Sequence, residues 1–235
     1  MLLVQIHALG ATPAMWEEAS GLLGGETLSP ALFGIGDVPR HGGPPGLEDH
    51  ADFLAPVIAA LGRLVVMSGC AIGGMVAAAV AARLGAQVRG LVLANPILRI
   101  TEPAGEALRA RAARARAGGI GAIEEEVLDR AFDGLEIPAQ RAAFGRHLRG
   151  ISGDAYADLA EGIFGADIGA ALERLTCPVL LVPGGRDVVL PGWHVDEIVA
   201  LTGAEVRPAP SGGHFMPQQA PEEYAAAVAP FLGRL

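Results

Sequence analysis

One segment of this sequence has the spacing of a turn that presents a reactive side chain. Residues 65–75, VVMSGCAIGGM, run from an apolar stretch through a glycine-flanked turn into small residues. In such a nucleophile elbow, glycine is required two positions before and after the apex, because a side chain there would collide with neighbouring backbone. Gly69 and Gly73 fill these positions. The apex is Ala71, whose methyl group cannot attack a carbonyl carbon.

Two neighbours of the apex carry groups that could replace it as the nucleophile. Centring the turn on Cys70 would put Ser68 and Ile72 at the two crowded positions, where glycine is needed. We therefore predict that Cys70 is a small packing residue. Ser68 precedes the turn, within the end of the strand, and is predicted to be a buried hydroxyl bonded to the backbone.

Two later segments supply an acid and a base in the chain order of a nucleophile–acid–histidine triad. Asp187 follows an apolar run and a Gly-Gly turn, so we place it just past a buried strand, at the carboxyl edge of a sheet. The alternative role for Asp187 is to cap the helix that follows. His214 lies on a glycine-rich loop before the last predicted helix, and its alternative is an ordinary surface histidine.

Backbone amides near the apex could bind the negative charge that develops on a substrate oxygen. Residues 7–12 follow the first predicted strand directly, which places the N–H of Leu9 near the turn. The N–H of Ile72 follows the apex itself. Amides of this kind are fixed in place before charge develops, which suits them to an oxyanion hole. We predict that His7 is structural and braces this loop.

The elements that position these residues alternate between strands and helices. Apolar runs predict strands at residues 2–6, 63–67, 90–93, 178–182 and 204–207, and helical patterns cover residues 73–84, 194–201 and 221–232. This alternation predicts an α/β fold with a mostly parallel central sheet flanked by helices. Residues 101–175 carry no convincing strand and predict an inserted helical cap. The core then comprises residues 1–100 and 176–235.

Composition excludes several classes of partner. The 235 residues carry 17 basic and 26 acidic side chains, a formal charge of −9, so nucleic acid and anionic membrane surfaces are not expected partners. No apolar run approaches the roughly 20 residues that span a bilayer. Metal-ligand spacing, a phosphate-binding loop and a dinucleotide motif are missing, so we expect a small-molecule substrate and no cofactor. Two distant cysteines and a strand-like start favour the cytoplasm.

Together, these motifs resemble the α/β-hydrolase superfamily from end to end, and within it the 3-oxoadipate enol-lactonase group. Residues 109–118 and 153–157 are similar to the cap of that group. The resemblance implies hydrolysis of a small acidic ester or lactone, with Asp187 and His214 completing a triad and Leu9 and Ile72 forming the oxyanion hole. It also implies that arginines of the cap meet a substrate carboxylate. Alternatively, these arginines form a solvated face that balances residues 124–126.

The sequence departs from the pattern it resembles at three positions. Ala8 follows His7 where glycine is usual, and Arg40 precedes His41 where glycine is usual. Ala71 stands where the family has its nucleophilic serine. Only the third departure removes chemistry.

Three explanations of Ala71 are open at this point. The chain could be an inactivated variant of a serine hydrolase, which binds substrate without reacting. It could instead be a natural enzyme in which the Asp187–His214 pair acts alone as a base, in lyase, isomerase or cofactor-free oxygen chemistry. The third explanation is a binding module that keeps the hydrolase fold for its pocket.

Overall fold

Six parallel strands form one sheet at the centre of the structure, a computed structural model that describes residues 1–235. Their order across the sheet is β2-β1-β3-β4-β5-β6. The inner strands are buried almost throughout, which explains why they are continuous apolar runs rather than alternating patterns. The strands are β1 (Leu2–Ile6), β2 (Thr27–Leu28), β3 (Val65–Cys70), β4 (Val88–Ala94), β5 (Val179–Val182) and β6 (Glu205–Val206).

The predicted fold class is confirmed, but four of the five predicted strands have different ends in the structure; β4, for example, spans Val88–Ala94 rather than residues 90–93. The third strand begins at Val65 rather than Arg63, because β1 starts at Leu2, which is the partner of Val65. It continues to Cys70, since β4 runs beside it to that point. The edge strand β2 was missed, because its two residues are too few to show a pattern and neither is fully buried.

Eleven helices surround the sheet, and the one after β3 is buried almost throughout. They are α1 (Glu17–Leu23), α2 (Leu47–Ala59), α3 (Ile72–Leu84), α4 (Glu102–Gly118), α5 (Glu124–Ala131), α6 (Pro138–Arg149), α7 (Gly153–Gly162), α8 (Gly169–Glu173), α9 (Trp193–Thr202), α10 (Met216–Gln219) and α11 (Pro221–Leu232). Residues 72–81 of α3 are all buried, and most are glycine or alanine. Such small side chains allow the sheet and α2 to pack closely on both sides of this helix.

Five helices lie between β4 and β5, in the segment predicted as the cap. Two of them, α4 and α7, pack along each other so closely that a Cβ at Gly153 would lie 2.1 Å from the carbonyl oxygen of Ala115. The last, α8, packs instead against α3 and α9 of the core. We propose that α4–α7 are the cap and that the predicted segment, residues 101–175, includes one helix that packs as core.

A network of ion pairs joins this cap to the core. Asp158 on α7 is buried, and its carboxylate accepts hydrogen bonds from Nε of Arg40 at 2.8 Å and from Nη2 of Arg116 at 3.0 Å. Asp154 binds the same two arginines from the next turn of the helix. Arg40 belongs to the core loop after β2, whereas Arg116 belongs to α4. Arg40 therefore links α7 to the core loop.

We expect Asp158→Asn to lower the free energy of unfolding by about 2 kcal/mol, because hydrogen bonds to charged groups contribute about 1.5–3 kcal/mol each. The measurement is urea unfolding at neutral pH. Asp129→Asn is the matched control, since Asp129 also binds an arginine, Arg141, but is exposed. Its loss should cost less than about 1 kcal/mol. Equal effects of the two substitutions would contradict the anchoring role.

Candidate active site

The turn between β3 and α3 has the strained geometry that the glycine spacing predicts. Ala71 has φ 50° and ψ −118°, a conformation that non-glycine residues rarely adopt. A Cβ at Gly69 would lie 2.2 Å from the carbonyl oxygen of Gly73. A Cβ at Gly73 would lie 2.3 Å from the carbonyl oxygen of Ile6. Both glycines are therefore sterically required, and Ala71 stands at the apex.

The two other candidate nucleophiles are held inside the core. Burial raises the pKa of the Cys70 thiol well above its ordinary value, so Cys70 stays protonated and packs beside the carbonyl oxygen of His214. This confirms its packing role. The prediction for Ser68 was half wrong: the hydroxyl is buried, but its partner is the hydroxyl of Tyr224 at 2.8 Å, rather than the backbone. That contact crosses from β3 to α11, so local sequence could not reveal it.

Asp187 and His214 meet although 27 residues separate them in the chain. His214 Nδ1 lies 3.0 Å from Oδ2 of Asp187, and the side chains are 14% and 5% exposed, respectively. The other oxygen, Oδ1, accepts hydrogen bonds from the N–H groups of Val189 and Leu190. Asp187 thus orients the histidine and also caps the turn that follows it. With Nδ1 engaged, Nε2 is the ring nitrogen of His214 that is free for chemistry.

One polar residue at this edge was missed by sequence reasoning. Asn95 follows β4 directly, and its buried carboxamide binds the loops of both Asp187 and His214. A single asparagine after an apolar run carries little information by itself. The usable signal was its place at the carboxyl end of a central parallel strand, where functional side chains gather.

The two residues whose amides are predicted to form the oxyanion hole have no backbone acceptor for those amides. The N–H of Leu9 donates to no protein acceptor. Ile72 is the first residue of α3, where N–H groups lack an acceptor within the helix. Leu9 and Ile72 both line the cavity beside Ala71. Their amides are therefore free to bind a ligand oxygen.

His7 braces the loop that carries Leu9, as predicted. Its Nδ1 donates to the carbonyl oxygen of Ala8 at 3.0 Å, and its Nε2 accepts from the N–H of Leu32 at 3.1 Å. A ring nitrogen that accepts must be unprotonated. Burial lowers the pKa of His7 to about 4, which keeps the imidazole in this neutral form.

These groups surround one cavity between the carboxyl edge of the sheet and the cap. The open space between these groups is about 840 Å³, a volume that includes solvent at the mouth of the cavity. Ala71 and His214 form its floor together with Leu9 and Ile72, and most of the remaining lining is aliphatic. An apolar wall lowers the local dielectric and strengthens the interactions of the few polar groups that face the ligand.

The arginines of this segment lie in two different settings. Arg114 and Arg111 both bind Glu126, and Arg116 belongs to the anchoring network. These pairs match the solvated, charge-balanced face. Arg111 also lines the cavity, however, as does Arg130 of α5. Only these two arginines reach the cavity.

Other kinds of site are not visible in the structure. No three His, Cys, Asp or Glu side chains come close enough to hold a metal ion. None of the helices has the length and apolar character that a membrane crossing needs.

Comparison with known proteins agrees with this fold. An esterase from Thermogutta terrifontis, solved with malate bound, superposes with a TM-score of 0.90 at 25% identity over 100% of this chain and 90% of that one. The enol-lactonase of Burkholderia xenovorans LB400 has a TM-score of 0.90 at 23% identity over 99% and 91%. A structure from a study of carboxylesterases of Nitrososphaera gargenis has a TM-score of 0.87 at 21% identity over 99% and 90%. Among curated proteins, no sequence matches significantly.

The sheet order, the glycine-flanked turn and the histidine–aspartate pair define a hydrolase fold of the α/β class. Residues 1–227 match the alpha/beta hydrolase family, and the chain belongs to that family.

Acidification should destabilise the protein through its buried histidines. Burial lowers the pKa of His7 from 6.5 to about 4. The pKa of His50 is also lowered from 6.5 to about 4, mainly by burial and to a smaller extent by electrostatic repulsion from the nearby His7. The unfolded chain takes up these protons below about pH 6.5 and the folded chain only near pH 4. The free energy of unfolding therefore falls over this window, by up to about 3 kcal/mol per histidine.

The measurement is urea unfolding of the parent chain and of His50→Gln at about pH 7.5, 5.5 and 4.5. Titrating carboxylates contribute to both chains, so the difference between the two profiles isolates His50. We expect the profile of the variant to be flatter. Parallel profiles would show that His50 is not held neutral by the fold.

Proposed function

We propose that this chain has the site of a carboxylic ester or lactone hydrolase of the serine type, with Ala71 at the position of the nucleophile. The observation that carries the proposal is the convergence of Ala71, at the apex of a strained turn, with the Asp187-bound His214 on one cavity. The free amides of Leu9 and Ile72 beside the apex support it further. Esterase and enol-lactonase structures are among those with the same fold.

With a hydroxyl at position 71, the chemistry follows from these positions. Nε2 of His214 takes the hydroxyl proton as the oxygen attacks the carbonyl carbon, and Asp187 stabilises the imidazolium that forms. The amides of Leu9 and Ile72 receive the oxyanion. His214 then returns the proton to the leaving oxygen, which stays attached to the acyl group when the substrate is a lactone. In the last step His214 takes a proton from water as the water oxygen attacks the acyl carbon, and it then gives that proton to the oxygen at position 71, which leaves as the acid is released.

The methyl group of Ala71 can begin none of these steps. The cavity, the oxyanion amides and the Asp187–His214 pair do not depend on it, so substrate binding is retained. We therefore propose that the chain with Ala71 is an inactivated form, which binds its substrate without turnover.

Ala71→Ser should restore hydrolysis, with a gain on the order of 10⁴- to 10⁶-fold, because loss of a triad nucleophile costs about this much. The assay compares both chains on p-nitrophenyl esters of short acids and on small lactones and enol lactones. Adding His214→Ala to the serine variant is the control and should return the rate to background.

Two results would replace this proposal by another reading of Ala71. The chain with Ala71 could itself convert substrate, in a reaction that His214→Ala abolishes and Ala71→Ser does not improve. That result would indicate that the Asp187–His214 pair acts alone as a base. The absence of any product from either chain, combined with a ligand that changes protease cleavage within residues 101–175, would indicate a binding module.

We further propose that the substrate carries a carboxylate. Arg111 and Arg130 line the cavity from α4 and α5, and they are the only arginines or lysines that do so. The guanidinium of Arg111 is engaged by Glu126, with Nε 2.8 Å from Oε1. Arg130 forms no ion pair within the protein, which leaves it free to bind an anionic group of the ligand.

In the Ala71→Ser background, Arg130→Gln should raise KM about fivefold for a p-nitrophenyl monoester of a dicarboxylic acid, since one exposed ion pair contributes about 1 kcal/mol. KM for a neutral p-nitrophenyl ester should not change. Arg146→Gln is the matched control, because Arg146 is also exposed and cap-borne but does not line the cavity. Equal effects on both esters would remove the carboxylate from the proposal.

A further inference from the structure

The carboxamide of Asn95 lies between the two loops that carry the acid and the base. Its Nδ2 group donates to the carbonyl oxygens of Gly213 and His214, each at 2.7 Å. Its Oδ1 accepts from the N–H of Gly184, at 2.6 Å, three residues before Asp187. Two carbonyl acceptors on one side and an N–H donor on the other fix which amide atom is which.

The backbone of Asn95 also indicates a constrained position. Its φ is 46°, and Ala71 is the only other non-glycine residue with a positive φ. Asparagine adopts this region more readily than most residues, but at a cost that the surrounding structure must offset. Its own N–H extends the pairing of β4 and β5 by donating to Val182 at 3.1 Å. The conformation therefore directs the carboxamide away from the ladder and toward the loops.

Few side chains could make the same three contacts. A carboxylate of the same shape could accept from Gly184 but could not donate to two carbonyl groups. The hydroxyl of serine could donate only one proton. Since Asn95 is 2% exposed, any partner left without a hydrogen bond would also lack water to replace it.

We propose that Asn95 is a positioning residue, whose carboxamide sets the contact between His214 and Asp187 by binding both of their loops. It does not line the cavity, so it acts through these two residues rather than on the substrate. Other links between the loops join backbone to backbone, such as the N–H of Arg186 to Gly212 at 2.9 Å. Those links survive a substitution at Asn95, so the loops remain folded while the contact at His214 loosens.

The first test reads His214 directly and requires no activity. The sample is the ¹⁵N-labelled protein with Ala71. A downfield resonance of the proton on His214 Nδ1 reports the hydrogen bond to Asp187, and the loss of this resonance in His214→Gln establishes its assignment. Asn95→Gly removes the carboxamide while relieving the positive φ, which glycine adopts freely. We expect this resonance to shift upfield or to be lost by exchange with water in Asn95→Gly and in Asn95→Asp.

Gln5→Leu is the control, because Gln5 is also a buried carboxamide but lies on β1 and binds Ser20. It should retain the resonance even if it lowers stability. Cooperative urea unfolding establishes that each variant is folded. An unchanged resonance in folded Asn95→Gly or Asn95→Asp would overturn the proposal, and so would loss of the resonance in Gln5→Leu as well.

The second test uses the Ala71→Ser background. There Asn95→Gly should lower kcat on the order of tenfold to a hundredfold, because small misplacements of a catalytic group carry such costs. KM should change less than about twofold, since the cavity lining is intact. A rise in KM with kcat unchanged would contradict the positioning role. Failure of serine to restore hydrolysis would count against the proposed function only, because the resonance test does not depend on it.

Discussion

The close approach of backbone at the turn between β3 and α3 is the constraint on which the site depends. Gly69 faces the carbonyl of Gly73, and Gly73 faces the carbonyl of Ile6, at separations that exclude any side chain. This contact holds the start of α3 against the carboxyl ends of the central strands. It therefore fixes Ala71 and the N–H of Ile72 relative to β1. The loop after β1 carries Leu9, whose N–H is the second free amide.

The same edge of the sheet gathers the remaining groups because all six strands are parallel. Asn95, Asp187 and His214 come from three separate segments of the chain. They follow β4, β5 and β6, respectively. Asn95 binds backbone groups of both loops at 2.6–2.7 Å, and His214 lies 3.0 Å from Asp187. Hydrogen bonds in such a largely buried place are stronger than in water, and an unpaired polar group there is costly. Helices α4, α5 and α7 contribute to the lining of the apolar cavity, part of which is open to solvent, and Asp158 of α7 binds the core loop through Arg40.

The sequence predicted those features of the fold and the site that short segments of the chain determine by themselves. The glycine spacing around Ala71, the Gly-Gly turn before Asp187 and the glycine-rich loop of His214 are short-range signatures, and the apolar runs predicted five strands. What it did not predict depends on contacts between distant segments. The hydroxyl of Ser68 meets α11, Arg40 meets α7, and the carboxamide of Asn95 meets two loops about 90 and 120 residues away. No local pattern encodes such partners.

The conformation of Ala71 itself bears on its origin. A positive φ at a non-glycine residue costs on the order of 1–3 kcal/mol, and strain of this kind persists where the surrounding structure imposes it. Alanine gains nothing from this position, because its methyl group forms no hydrogen bond, and glycine would occupy the same turn without strain. A side chain that does chemistry would account for a Cβ at the apex, whereas packing alone would not. The strain at Ala71 therefore supports the proposal that the turn was shaped around a nucleophile.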